Sequence, residues 1–167
     1  MGGGTYGNII ETAKTAEFNI WVDPQAAHIV FEAFDVYMVG CNACFLAPIS
    51  GEDFDDMIRL CGDGEKAYLV RELSRFSKEN TYKSGHDNNI IYDAITVASM
   101  IDPEIVKYED YYVYVEDTRG VVNEGQTVID LAGRSGKKPN CHVAMDVDVP
   151  KWVALLKDMC RYYGSLS

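Results

Sequence analysis

The sequence predicts a mixed α/β layer fold, and three observations carry that prediction. Helical and extended patterns alternate from residue 24 to 101, three strand-like stretches follow with Gly and Pro-Asn between them, and a helix ends the chain. At 167 residues there is room for one such domain with a real core, so a single domain over 1–167 is expected.

Asp23-Pro24 starts the first helix, because Asp23 can cap exposed backbone N–H groups and Pro24 fits the first turn, where its missing N–H costs nothing. Ala26, Ala27, Val30, Phe31 and Phe34 then recur near the helical period, which predicts one buried face. "VYMVG", Val36 to Gly40, reads as a buried strand. "GEKAYLVRELSRFSKEN", Gly64 to Asn80, reads as an amphipathic helix with Leu69, Leu73 and Phe76 on its inner side. "TYKSGHDNNIIYDAITVASMIDPEI" opens as a polar loop and continues as an apolar helix from near Asp93, with Asp102-Pro103 closing it or beginning another turn. "YYVYVEDTRG", "QTVIDLAG" and "NCHVAMDVD" are the strand-like stretches, and "PKWVALLKDMCRYY" is the final helix. There is no internal repeat or low-complexity tract.

Composition narrows the function. Fifteen Lys+Arg against 26 Asp+Glu give a net charge of -11, which repels phosphate backbones and anionic lipid surfaces and excludes nucleic acid as a partner. The longest apolar run, Val36 to Ile49, is interrupted by Asn42 and Pro48 and falls short of the roughly 20 residues a bilayer requires. No membrane segment is expected, and the N-terminus lacks the basic and apolar regions of a secretory signal. Five cysteines without a regular framework suit a reducing compartment, and a cytoplasmic location follows.

Several local signals have ordinary readings. "GGGTYG" matches a dinucleotide-binding glycine pattern, but only Met1 precedes it where a strand is needed, and a flexible loop is the expectation. Cys41 and Cys44 have zinc spacing without a second ligand pair, so buried thiols are expected. His28 and His142 fall inside a helix and a strand and read as structural, whereas His86 sits in a polar loop. Glu17 and Asn19, two apart, share a face if their segment is extended. A carboxylate beside an amide satisfies sugar hydroxyls, which both donate and accept; a polar strand edge is the alternative. Phe18 and Trp21 supply an apolar wall for a ring or belong to the core. Asp93 is either a helix cap or one oxygen ligand of a hard cation.

Taken together, "MGG" with Gly7-Asn8, "AEFNIWVDPQAAHIVFE", "YDAITVASMIDPEI" and "VEDTRGVVNEGQTVIDLAGRSGKKPNCHVAMDVD" resemble, in order and spacing, the inosine/uridine-preferring nucleoside hydrolases. These are enzymes that use calcium to cleave the N-glycosidic bond of ribonucleosides. The resemblance implies a Rossmann-like nucleoside hydrolase fold, with this chain as the C-terminal half of a mixed, mostly parallel sheet with flanking helices. It implies that Asn8, Glu17 and Asn19 bond the ribose hydroxyls, that Phe18 lies against the nucleoside, and that Asp93 binds calcium. Tyr92 stands where many members carry His, so it is a leaving-group candidate by stacking or proton donation, with His86 or Tyr82 from the flanking loop as alternatives. The family's N-terminal aspartate cluster has no counterpart here. Since calcium takes about six to eight oxygens, weak calcium binding by this chain alone is expected. The implied function is hydrolysis of ribonucleosides to ribose and base in nucleoside salvage, with the N-terminal half either supplied by a separate chain or lost. The alternative is a catalytically inactive homologue that binds nucleosides or sugars or forms oligomers. Half of a doubly wound sheet would expose a strand edge and an apolar face, so a homo- or hetero-oligomer is expected.

Overall fold

The computed structural model describes residues 1–4, 15–83 and 88–166. In chain order its elements are α1 (Phe18–Val22), α2 (Pro24–Ala33), β1 (Val36–Met38), α3 (Cys41–Leu46), β2 (Ile49–Ser50), α4 (Gly51–Cys61), α5 (Tyr68–Lys83), β3 (Asn88–Asn89), α6 (Tyr92–Ile101), β4 (Val106–Tyr111), β5 (Val113–Val115), β6 (Thr127–Ile129), β7 (Cys141–Val147) and α7 (Val149–Ser165). They fall into two compact units, one formed by residues 1–46 and 92–147, the other by 47–91 and 148–167. Among the described residues no helix is long and apolar enough to cross a membrane.

The first unit is built on a mixed three-stranded sheet in the order β1-β7-β4. β1 runs parallel to β7 with Val36 opposite Cys141, and β4 runs antiparallel to β7 with Tyr111 opposite the same residue. β5 and β6 form a separate antiparallel pair, Val113 opposite Ile129. Cys141 and Val143 of β7 point inward with Met38, Val113, Val115, Phe31 and Ile20 to make the core. Asp23 caps α2 through Ala26 N at 3.0 Å, as its chemistry requires. Asp102 likewise caps a short 3-10 turn, Pro103–Ile105, rather than merely ending α6.

Two expectations change here. Tyr111 to Gly120 is not one strand: the chain leaves β7 after Tyr111 and pairs with β6 instead. The Asn140 side chain bridges that change, accepting from Val113 N at 2.7 Å and donating to Val113 O and Phe31 O at 3.0 Å each. On α2 the buried stripe is narrower than the periodicity suggests, because Phe31 is buried while Val30 and Phe34 are exposed.

The second unit rests on α4 and α7. Ser50 caps α4, accepting from Asp53 N at 3.0 Å and donating to Asp53 Oδ2 at 2.6 Å. Phe54, Met57 and Cys61 of α4, and Trp152, Leu156 and Cys160 of α7, are the buried faces. Lys157 on α7 reaches Asp53 and Asp56 of α4, at 2.9 Å each. α4 has no counterpart among the elements expected from the sequence patterns above.

The inner face of α5 is also not the expected one. Leu69, Leu73 and Phe76 are exposed, at 65%, 55% and 64%. The face held inward is polar: Ser74 is buried and donates to Val70 O, Arg71 donates to Gly62 O, and Lys78 pairs with Asp55. The bonds of Arg71 and Lys78 tie this face to its neighbours, the Ser74 bond lies within α5 itself, and the apolar ridge is left outward.

Candidate functional site

Glu17 organises the site. Its backbone is extended, but the segment after it is α1, so Glu17 and Asn19 do not form the side-by-side pair of an extended strand. Glu17 is instead the buried N-cap of this short helix, where a carboxylate matches unbonded amides. Its Oε2 accepts from Asn19 N at 3.0 Å, Ile20 N at 3.3 Å and Gly3 N at 3.0 Å. Asn19 lies in the first turn and donates its amide Nδ2 to Met1 O at 3.1 Å. Phe18 stays half exposed, its ring tilted 36° against Trp21 at 6.4 Å.

The glycines at the N-terminus are not a loose loop. Gly2, Gly3 and Gly4 are buried, and Gly2 N donates to Val39 O at 3.1 Å while Gly3 O accepts from Cys41 N at 2.9 Å. Gly3 takes φ +70°, and a Cβ there would stand 2.8 Å from Met38 Sδ, so only glycine fits.

α6 brings the remaining groups. Tyr92, its first residue, meets the edge of Phe45 at 6.2 Å, and its carbonyl accepts weakly from Cys44 Sγ at 3.8 Å. Asp93 lies exposed in the first turn. Burial raises the Tyr92 phenol above its ordinary value, with Cys41 and Cys44 adding to the effect. Burial, followed by the neighbouring Cys41, pushes the Cys44 thiol up to about 12. Both groups therefore keep their protons at neutral pH.

Glu17, Phe18, Asn19, Tyr92 and Asp93 line one concavity of about 230 Å³, together with Met1 and Cys41. Five residues expected at the site thus meet in one place. Met1 and Cys41 were not foreseen, because only the folded positions of the N-terminal segment and α3 bring them there. A larger groove of about 720 Å³, walled by Trp21, Pro24, Gln25 and Arg119, contains none of the expected sugar ligands. Asn8 and His86 lie outside the described residues, and Tyr82 is in the last turn of α5 with its side chain outside them.

A calcium ion needs more oxygens than these side chains offer. Among the described residues no group of three or more His, Cys, Asp or Glu side chains could hold a metal. Glu17 Oε2 is engaged by three N–H groups, which leaves Asp93 as one candidate ligand and not a set. Cys41 and Cys44 are buried thiols, as expected. His28 is structural: its Nδ1 bonds Val115 O at 3.0 Å, and its ring stands edge-on to Tyr114 at 5.3 Å.

Residues 1–154 match the inosine-uridine preferring nucleoside hydrolase family. The chain belongs to that family. Within it, the chain is 38% identical over 152 residues to a pyrimidine-specific ribonucleoside hydrolase of Salmonella paratyphi A, covering 89% of this chain and 48% of the relative. A pyrimidine-specific ribonucleoside hydrolase of Escherichia coli O8 is 37% identical with the same coverage. The chain spans about half the length of these curated relatives. A plant nucleoside hydrolase structure superposes with TM-score 0.79 at 25% identity, over 96% of this chain and 52% of that one. A purine-preferring ribonucleoside hydrolase from Gardnerella vaginalis shares the fold, with TM-score 0.78 at 22% identity, over 100% of this chain and 52% of that one.

Proposed function

We propose that this chain carries the ribose-contacting part of a ribonucleoside hydrolase that cleaves the N-glycosidic bond to release ribose and free base, in nucleoside salvage in the cytoplasm. The observation that carries the reading is the convergence of Glu17, Phe18, Asn19, Tyr92 and Asp93 on one small concavity. A ribose presents hydroxyls that donate and accept. Glu17 Oε1, the oxygen outside the bonds to Oε2, accepts from one of them, and Asn19 Oδ1 serves a second. Asn8 joins these two at the sugar. Phe18 covers the ring face, and Tyr92, a neutral phenol whose value partial burial raises further, donates a proton to the departing base or stacks against it. His86 and Tyr82 are the alternative donors.

Asp93 would contribute one oxygen to a calcium ion, the remaining ligands having to come from outside the described residues. Bound there, the ion would hold sugar oxygens and acidify a water. The incomplete donor set among the described residues favours a second reading, a nucleoside-binding homologue without catalysis.

The test is ribose release from uridine and inosine, with calcium and with EDTA, by this chain alone and by this chain mixed with one bearing an aspartate cluster. Calcium-dependent release only in the mixture is expected. Release unaffected by EDTA would refute the metal role. Binding without release in every mixture would favour the second reading.

A further inference from the structure

We propose that Thr127 is a positioning residue of the ribose site, its hydroxyl fixing the Gly2–Gly4 backbone so that the Gly3 amide holds the Glu17 carboxylate in place. The inference rests on the ribose-binding reading above. Thr127 is the first residue of β6, is 7% exposed and is not among the residues lining the concavity, so it acts only through others. Its Oγ1 accepts from Gly4 N at 3.0 Å and donates to Gly4 O at 2.8 Å. A hydroxyl can do both at once, and it thereby gives Gly4 the pair of bonds that a neighbouring strand would supply.

The adjoining residue is held as tightly. Gly3 packs close to the same side chain, since a Cβ there would stand 2.9 Å from Thr127 Cγ2, but the anchoring is done by the hydroxyl. Gly3 N is one of three donors on Glu17 Oε2, and the other two, Asn19 N and Ile20 N, are the first amides of α1. The path is short: Thr127 fixes Gly4, Gly4 fixes Gly3, and Gly3 fixes the carboxylate that caps the helix bearing Phe18 and Asn19. Gly4 also lies four residues ahead of Asn8 in the sequence, so the anchor precedes a further expected sugar ligand.

Thr127→Val keeps the shape and removes both hydrogen bonds, whereas Thr127→Ser keeps them. The full chain of each variant would be compared with wild type by amide hydrogen exchange and by calorimetric titration with uridine in calcium. In Thr127→Val, exchange at Gly3, Gly4 and Asn19 should accelerate roughly tenfold, as for loss of one buried hydrogen bond, and uridine affinity should fall by a similar factor. Amides of α4 and α7 should stay unchanged, and Thr127→Ser should behave as wild type. Unchanged exchange at Gly3 and Asn19, a Ser variant no better than Val, or uniform acceleration across all amides would overturn the proposal. A wild-type chain that fails to bind uridine would remove the ribose-binding reading instead, and the exchange pattern would still decide whether Thr127 fixes the donors to Glu17.

Discussion

At the scale of single residues, Glu17 does two jobs that compete for one carboxylate. Oε2 caps α1 and holds Gly3, and the ribose-binding reading assigns the other oxygen to a sugar hydroxyl. Glu17→Ala would leave three amides without their acceptor in a buried setting, a loss of about 2–3 kcal/mol. Urea denaturation should show it as a lower midpoint at unchanged slope, whereas a wild-type midpoint would mean that water replaces the carboxylate. Asn19→Ala removes an exposed amide that bonds only the chain terminus among the described contacts, so it should leave the midpoint nearly unchanged while weakening uridine binding. The residue types at this site were legible in the sequence, because a carboxylate, an amide and aromatics in four positions suggest a sugar. Their geometry was not, because the same "EFN" reads as a strand edge until the Gly3 amide, fourteen positions away, makes Glu17 a helix cap.

Between elements, the clearest pH-sensitive contact crosses the β1-β7-β4 sheet. His142 on β7 bonds Asp110 of β4 through Nδ1 at 2.5 Å and Asp35, just ahead of β1, through Nε2 at 3.1 Å, with Tyr37 stacked at 4.2 Å. The bond to Asp110 raises the imidazole above its ordinary 6.5 against the opposing cost of burial, and Asp35 adds to the rise. The folded chain therefore holds this proton more tightly than the unfolded one. Its stabilisation is complete below pH 6.5 and is lost as pH rises through the higher folded value. Urea midpoints taken from pH 6 to 9 should fall in wild type by more than in His142→Gln; parallel curves would show that the two carboxylates do not hold the ring. On α4 and α7, Asp53 has the opposite sign. Burial disfavours its charge, but bonds from Lys157 and Ser50 outweigh that and lower its value, so its contribution is lost as pH falls through the acid range.

Which elements were legible follows from how local their causes are. The Asp23-Pro24 start, the Asp102 turn, the apolar helix from Tyr92 and the β7 alternation depend on neighbours in sequence, and each is present. The inward face of α5 depends on Arg71 and Lys78 finding partners outside the helix, which periodicity alone does not reveal.

At the scale of the whole molecule, two features bear on the expected association. The donor set around Asp93 is incomplete among the described residues, and the Leu69, Leu73 and Phe76 ridge of α5 is exposed on a chain about half as long as its curated relatives. Large exposed apolar ridges favour association. Light scattering at micromolar concentration should therefore report a mass above that of one chain, reduced towards it by Leu73→Glu; a monodisperse monomer would refute association through that ridge.

The central claim is that the concavity between α1 and α6 holds ribose. Its most direct test is a titration of the isotope-labelled chain with uridine in calcium, followed by amide NMR. The account predicts saturable shifts at Asn19, Cys41 and Asp93, with the amides of Gln25 and Arg119 unmoved. Shifts confined to Gln25 and Arg119, or no shifts at millimolar uridine even with an aspartate-cluster chain present, would contradict it.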